Sequence, residues 1–326
     1  MSTTTELPLP SSEEFGVVTS RILKAIGTVI DGKPEVARTA LRVLLAQGHL
    51  LLEDVPGVGK TLLAKTLARS VAATVNRIQF TPDLLPSDVT GVSIYNQDSH
   101  GFEFRRGPVF ANLLIGDEIN RASAKTQSAL LECMEEHQVT VDGTTYPLAA
   151  PFMVIATQNP IELEGTFPLP EAQRDRFMAR VSMGYPDTEA ELSMLRNHQS
   201  DSPLQRVSPV VDTATLLSLI DIVKAVHVAD AVQEYIVALG QATRTHPDIR
   251  LGASPRALLQ LLRASKAEAA LNGRDFVLPD DVVANCPSVL GHRLVLHRKA
   301  EIGGTTVQDL VESLLAQVPV RTAARS

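Results

Sequence analysis

A glycine-rich turn between an apolar strand and a helical segment limits the fold of this chain more than any other feature. The apolar run Leu50-Leu51-Leu52 leads into Glu53-Asp54-Val55-Pro56-Gly57-Val58-Gly59-Lys60-Thr61, and a helical pattern covers residues 60–72. Such glycines let successive N–H groups converge on phosphate oxygens, the lysine adds a positive charge, and the threonine hydroxyl can bind Mg²⁺. The dipole at the start of the helix also attracts an anion. We therefore predict a phosphate-binding loop that contacts nucleotide through Pro56, Gly57, Val58, Gly59, Lys60, Thr61 and Leu62.

The loop departs from the usual pattern at one position. G-x-x-x-x-G-K-[ST] has a glycine five residues before Gly59, where this chain has Asp54. A bare Gly-Lys-Thr is common by chance, but strand, Pro-Gly-x-Gly-Lys-Thr and helix in succession are not. The prediction therefore depends on this context as well as on the loop itself.

Short buried strands alternate with helices through the first part of the chain. Two helical segments come first, and strands are predicted at residues 49–53, 76–80, 113–117, 152–157 and 180–183. This alternation is typical of an α/β fold with a parallel sheet and helices on both faces, in which ligands bind at the carboxyl ends of the strands. Two inserts, at residues 91–104 and 139–146, are predicted to be β-hairpins; the second has Asp142-Gly143 at its turn.

After Pro186-Asp187 the apolar spacing is helical to the end of the chain, which predicts an all-α second domain. Its clearest helices are predicted at residues 212–226, 230–243, 255–271 and 279–290. The predicted division is a disordered segment at residues 1–14, a nucleotide-binding core at 15–186 and a helical lid at 187–326.

Composition excludes some classes of partner. A net charge of −7 argues against bulk attraction to nucleic acid or to an anionic membrane. The acidic, proline-containing start is unlike a secretory signal, and no apolar run is long enough to span a membrane, so we expect a cytoplasmic protein without membrane insertion. Cys133 and Cys286 each lie in an apolar helical pattern and are expected to be buried thiols.

Polar side chains end two of the predicted strands. Asp117 and Glu118 follow a buried strand, where the first could hold Mg²⁺ and the second could polarise an attacking water. The alternative is an acidic pair exposed to solvent. Asn159 follows the next buried strand and could orient the same water, although Asn-Pro after a strand is often only turn chemistry.

Two arginines are candidates for contact with the γ-phosphate. Arg176, in Gln173-Arg174-Asp175-Arg176-Phe177, lies just before the last strand, where a cation could reach the site of a neighbouring subunit. A surface Arg-Asp-Arg salt bridge would fit equally well. Arg256 lies in the first turn of a lid helix, an unfavourable place for a cation unless it meets a phosphate or forms a structural ion pair.

In this order the motifs resemble those of AAA+ ATPases, and more narrowly those of the MoxR family, over nearly the whole chain. Beyond the loop, the similar blocks are Arg106-Gly107-Pro108-Val109-Phe110, Asp117-Glu118-Ile119-Asn120-Arg121-Ala122, Ala156-Thr157-Gln158-Asn159-Pro160, Leu169-Pro170-Glu171-Ala172-Gln173 and Gly252-Ala253-Ser254-Pro255-Arg256-Ala257. The resemblance implies a five-stranded AAA+ core followed by the lid, with the hairpins as the helix-2 and pre-sensor-1 inserts, which face the pore of a ring or a partner surface.

The same resemblance implies roles for single residues. Lys60 and Thr61 become the Walker A pair, with Asp117 and Glu118 as Walker B; Asn159 becomes sensor 1, Arg176 the arginine finger and Arg256 sensor 2. Arg174 is the weaker candidate for the finger. ATP and ADP are the implied nucleotides, with Mg²⁺, in a homo-oligomer expected to be a hexameric ring.

The implied function is chaperone-like remodelling or maturation of a protein client, driven by ATP hydrolysis, with a von Willebrand factor A (VWA) domain protein as partner. The main alternative is a nucleic-acid motor related to helicases. The hairpin residues disfavour it because 96–100 and 142–145 contain no Lys or Arg, and Arg105 and Arg106 lie only at the exit of the first insert. A small-molecule kinase shares the loop but does not need an arginine supplied by a neighbour.

Overall fold

A computed structural model describes residues 12–160, 166–167, 169–197 and 203–320. Its first part contains, in chain order, α1 (Ser12–Gly27), α2 (Pro34–Leu45), β1 (Leu50–Glu53), α3 (Lys60–Ser70), β2 (Val75–Gln79), α4 (Pro86–Thr90), β3 (Gly91–Asn96), β4 (Gly101–Arg106), β5 (Leu113–Asp117), α5 (Ala124–Glu136), β6 (Gln138–Val141), β7 (Thr144–Pro147), β8 (Met153–Gln158), α6 (Glu171–Arg174) and β9 (Ala179–Val181). Its second part contains α7 (Thr188–Asn197), α8 (Thr213–Ala225), α9 (Asp230–Thr245), β10 (Ile249–Leu251), α10 (Pro255–Leu271), α11 (Pro279–Leu290), β11 (Val295–Leu296), α12 (Arg298–Ile302) and α13 (Val307–Gln317).

Five parallel strands form the central sheet in the order β2-β5-β8-β1-β9. Both faces of the middle strands are buried, and successive residues of β1 alternate between them. Leu50 and Leu52 pack in one apolar cluster with the first helices and the lid, whereas Leu51 packs in a second cluster around α5. Burial on both faces explains why these strands are continuous apolar runs. The predicted α/β core is confirmed.

The two predicted hairpins are present as β3–β4 and β6–β7. Phe104 of the first and Tyr146 of the second stack with ring centroids 4.2 Å apart and ring planes at 20°. At the far end of the first hairpin, Tyr95 and Phe102 form an edge-to-face pair, and Phe102 is 76% exposed. The inserts are therefore joined near the core, while the first presents aromatic side chains to solvent.

The second part is helical, as predicted, with one addition. β10 and β11 form a two-stranded antiparallel ribbon that no pattern in the sequence predicts. The lid packs on the core through the first apolar cluster and through Glu268 of α10, which accepts hydrogen bonds from Arg38 and Arg42 of α2. Burial alone would raise the pKa of Glu268, but these arginines outweigh it and hold the pKa below its usual value.

Three further expectations concern the N-terminus, the thiols and membranes. α1 begins at Ser12, inside the segment expected to be disordered; residues 1–11 lie outside the described residues. Cys133 and Cys286 are buried free thiols, and burial raises the pKa of each to about 12, which makes them unreactive. Among the helices described, none is long and apolar enough to cross a bilayer.

Candidate active site

The predicted phosphate loop joins β1 to α3 at the carboxyl edge of the sheet. Gly57 and Gly59 have φ of 86° and 93°, in the region that only glycine occupies readily. Gly59 is the N-cap residue of α3, and it has no side chain that could accept a hydrogen bond from the helix N–H groups. Because these N–H groups remain directed toward the loop, an anion such as phosphate is the partner that fits them.

Asp54, the departure from the strict loop pattern, ties the loop to the edge of the sheet. Its carboxylate accepts hydrogen bonds from the Val55 N–H (2.8 Å), the Ser182 hydroxyl (2.8 Å) and the Gly184 N–H (2.5 Å). Burial alone would raise the pKa of Asp54, but the hydrogen bonds outweigh it, and the pKa lies below its usual value. Glycine at this position could make none of these side-chain contacts.

Lys60 and Thr61 point from the first turn of α3 toward different groups. The Lys60 ammonium donates to the carbonyl oxygens of Asp54 (2.5 Å), Val55 (3.2 Å) and Gln158 (3.5 Å), which holds its charge within the loop. The Thr61 hydroxyl lies 3.1 Å and 3.2 Å from the two carboxylate oxygens of Asp117. A hydroxyl and a carboxylate in contact are the oxygen ligands that Mg²⁺ accepts beside nucleotide phosphates.

Glu118 follows Asp117 and turns the chain sharply. Its φ is 57°, a left-handed conformation that is uncommon for a residue other than glycine and that occurs often at functional sites. The Glu118 N–H donates to the Thr157 hydroxyl on β8 (3.0 Å), which fixes the turn to the neighbouring strand. Its carboxylate accepts from Gln79 (2.9 Å) and pairs with Arg121 (2.9 Å).

Asn159 lies one residue past β8, beside the end of β5. It is 7% exposed, and its carbonyl oxygen accepts a hydrogen bond from Asn120 (3.4 Å). Lys60 contacts the preceding residue of the same segment. The structure therefore brings five predicted residues to one edge of the sheet, namely Lys60, Thr61, Asp117, Glu118 and Asn159.

These residues fit a magnesium nucleotide by their chemistry. The loop supplies N–H groups and an ammonium for phosphate oxygens, while the Thr61 hydroxyl and the Asp117 carboxylate supply oxygen ligands beside it. Glu118 provides a further carboxylate that is not needed for either purpose. The arrangement can therefore hold a polyphosphate and a divalent cation and can still offer an acceptor to a water molecule.

The two predicted arginines lie at the opposite edge of the sheet. Arg176 precedes β9, and Arg256 is in the first turn of α10; both pair with Glu135 near the end of α5, Arg176 at 3.0 Å. α5 starts just past Glu118, and its 13 residues extend about 20 Å toward the opposite edge of the sheet. Met134, beside Glu135, accepts a hydrogen bond from His49, the residue before β1. Neither arginine therefore contacts the phosphate loop of its own subunit.

The segment that carries Arg176 is braced by the lid. Asp175 accepts hydrogen bonds from the Ser254 hydroxyl (2.8 and 2.9 Å) and from Arg293 (2.8 Å). Arg293 also donates to the carbonyl oxygens of Asp175 (3.0 Å) and Phe177 (2.6 Å). Burial lowers the pKa of Arg293 to about 10, so it stays charged at neutral pH. The start of α10 and the chain around Arg176 thus form one rigid unit.

Four residues around the site were missed in the sequence. Arg77 of β2 pairs with Asp117 at 2.6 Å, and Gln79 and Arg121 contact Glu118. Glu135 pairs with both arginines at the other edge. Alternation along β2 places Arg77 and Gln79 on one face of the sheet. Their contacts with Asp117 and Glu118 follow only from the strand register, which pairs Gln79 with Asp117.

Comparison with known proteins agrees with this geometry. The profile of the ATPase family associated with various cellular activities (AAA) matches residues 49–179, and that of the AAA lid domain matches residues 241–314. The chain is 48% identical over 314 residues to the uncharacterized protein YeaC of Bacillus subtilis, covering 96% of this chain and 98% of that protein. It is 45% identical over 285 residues to the chaperone MoxR1 of Mycobacterium tuberculosis, covering 85% and 75% respectively.

A solved structure is similar over almost the same length. A provisionally assigned ATPase from Cytophaga hutchinsonii superimposes with a TM-score of 0.89 at 41% identity, covering 95% of this chain and 97% of that one. Its likeness spans both the core and the lid. The chain belongs to the MoxR family of AAA+ ATPases.

Proposed function

We propose that this protein hydrolyses ATP with Mg²⁺ at the interfaces between its subunits and uses the energy to remodel or mature a protein client. One observation carries the proposal. The loop and the carboxylates of Asp117 and Glu118 lie at one edge of the sheet, whereas Arg176 and Arg256 lie at the other, joined to Glu135. The four residues of β1 alone separate these edges by about 13 Å.

This separation has a consequence for assembly. Arginines that stabilise a γ-phosphate must come within hydrogen-bond distance of it, which Arg176 and Arg256 do not do for their own loop. They could reach the loop of a second copy placed against this face. Because every copy has both edges, the contact is head-to-tail. Such contacts form a ring when their rotation closes, and we propose a hexameric ring.

Each residue then has a distinct task. Lys60 and the loop N–H groups bind the phosphates, and Glu118 accepts a proton from the attacking water, which Asn159 helps to orient. Arg176 and Arg256 of the adjacent copy stabilise the charge that develops during transfer to water. Thr61 and Asp117 would hold Mg²⁺, which supplies positive charge next to the phosphate oxygens.

The proposal of a protein client is supported by the first hairpin. Tyr95 and Phe102 at its end are 50% and 76% exposed, and no Lys or Arg lies among residues 96–100. Exposed aromatic side chains without positive charge are suited to apolar protein segments. Together with the relative that is named a chaperone, this favours protein remodelling over a nucleic-acid motor. We also propose a VWA-domain protein as partner, and the family resemblance is the only support for it.

The ATPase rate per subunit, measured against protein concentration, tests the proposal. Wild type should become more active as concentration rises, because the site is completed by association. Glu118→Gln and Arg176→Ala should each lower the plateau by about 10³-fold or more. Lys60→Ala should weaken nucleotide binding. A concentration-independent rate, or wild-type activity of Arg176→Ala, would exclude the interface mechanism.

The client and partner require a separate measurement. The purified Glu118→Gln variant, which should bind ATP without hydrolysing it, is used to capture proteins with ATP and with ADP. A VWA-domain protein retained only with ATP would support the partner proposal. DNA-stimulated hydrolysis with a steep salt dependence would instead favour the nucleic-acid motor.

A further inference from the structure

Glu135 holds the two arginines with a single carboxylate. One oxygen lies 3.0 Å from a terminal nitrogen of Arg176, and the other contacts a terminal nitrogen of Arg256. One arginine comes from the core and the other from the lid, so the carboxylate bridges two domains. Two guanidinium groups this close would repel each other without an anion between them.

The position of the arginines does not depend on Glu135 alone. Ser254 and Arg293 hold Asp175, and Gln260 of α10 donates to the carbonyl oxygen of Arg176 (3.4 Å). These contacts fix the backbones of both arginine-bearing segments. The carboxylate of Glu135 therefore balances the positive charge of the two side chains and fixes their direction. The fold of the segments that carry them does not depend on it.

The ion pairs are open enough to be exchanged. The side chains of Arg176, Arg256 and Glu135 are 29%, 37% and 38% exposed. Ion pairs in contact with water are weak, because solvent competes for both partners. The terminal phosphate of ATP carries more negative charge than one carboxylate, so it can take the arginines from Glu135 when a neighbouring loop brings it near.

We propose that Glu135 is a positioning residue that takes the place of the neighbour's terminal phosphate until the interface forms. It keeps Arg176 and Arg256 paired and charge-compensated on the free face, and it competes with the phosphate for them. Removing its charge should therefore strengthen ATP-dependent association of subunits. This inference rests on the proposed function, because it assumes that both arginines act on the adjacent site.

The test is Glu135→Gln, which keeps the size of the side chain and removes its charge. The protein concentration at half-maximal ATPase rate should fall by about threefold or more, as expected for one unit charge a few ångströms from the phosphate. The plateau rate should stay near that of wild type. Glu136→Gln is the matched control, since Glu136 is exposed on the same helix and forms no ion pair within the described part of the chain. It should shift neither quantity.

Sedimentation velocity gives a readout that does not need hydrolysis. With a non-hydrolysable ATP analogue, Glu135→Gln should assemble at lower concentration than wild type, and without nucleotide the two should behave alike. Adding Glu135→Gln to the Arg176→Ala/Arg256→Ala double variant should produce no further shift. An unchanged or raised half-maximal concentration, or an equal shift without nucleotide, would overturn the role of Glu135.

The two failures can be told apart. If wild type shows no dependence on protein concentration, the interface mechanism itself fails. If that dependence and the loss in Arg176→Ala hold while Glu135→Gln matches Glu136→Gln, only the inference about Glu135 fails.

Discussion

Asp54→Gly introduces the glycine of the strict phosphate-loop pattern, and it should weaken this protein rather than improve it. Asp54 is 8% exposed, and its carboxylate links the loop to Ser182 and Gly184 beyond β9 at 2.8 and 2.5 Å. Glycine removes both contacts, so the Gly184 N–H loses its acceptor and the Ser182 hydroxyl must bond to water instead. It also adds freedom to a loop that must present its N–H groups in one arrangement.

The size of the effect follows from these contacts. Hydrogen bonds to a charged group contribute about 1.5–3 kcal/mol each, and water reaches the exposed Ser182, so we expect a loss of about 2–4 kcal/mol in the free energy of unfolding. Asp54→Asn, which keeps the shape but loses the charge, should cost about 1 kcal/mol. ATP affinity should fall in the same order, since the loop is less ordered in each variant.

Denaturant unfolding at pH 7 and nucleotide titration measure both quantities. The folded pKa of Asp54 lies below the ordinary value of 3.8, so its stabilisation is present above that pH and is lost as the pH falls through the folded pKa. The difference between wild type and Asp54→Gly should therefore shrink in acid. Equal stability of the two proteins at pH 7 would refute the role of Asp54 as the loop anchor.

Three other results are expected. Gly107→Ala should lower the free energy of unfolding by about 2 kcal/mol or more, because the added Cβ at the root of the first hairpin would lie 2.3 Å from a backbone carbonyl oxygen. Urea unfolding measures the loss. Gly101→Ala is the control, since the nearest atom to its Cβ would be 3.8 Å away. Burial lowers the pKa of His49 from 6.5 to about 4. The neutral imidazole therefore contributes its full stabilisation above pH 6.5, and about 3 kcal/mol of the free energy of unfolding is lost by pH 4. His49→Asn should flatten this dependence of unfolding free energy on pH. Arg77→Ala should lower the Mg²⁺ concentration for half-maximal ATPase activity, because the arginine at 2.6 Å competes for Asp117; an unchanged requirement would contradict this.

Elements with local signals could be predicted closely from the sequence. α10 was predicted at residues 255–271, the range found, because Ser254 caps its start, Pro255 fits the first turn and Asn272-Gly273 ends it. The sequence places the central strands to within two residues at each end, and the clearest of them are β1, β5 and β8, which are apolar runs between polar turns. Burial on both faces makes such runs easy to recognise.

Features that depend on distant pairing could not be predicted. β10 and β11 have three and two residues and lie far apart in the chain, so neither carries a periodic pattern. Glu135 is one of several acidic residues on α5, and nothing local marks it as the partner of Arg176 and Arg256. The same holds for Arg77, whose contact with Asp117 arises from the pairing of β2 with β5.

The separation of the two halves of the site is tested most directly by mixing two inactive variants. Glu118→Gln lacks the carboxylate that we propose accepts the proton of the water but keeps its arginines, and Arg176→Ala lacks the proposed finger but keeps that carboxylate. The two variants are mixed in equal amounts before ATP is added, and co-purification of tagged and untagged chains verifies that subunits exchange. Randomly mixed rings would then contain complete sites at about a quarter of their interfaces. The interface mechanism predicts activity well above the sum of the two variants alone. Activity equal to that sum, in verified mixed rings, would contradict it.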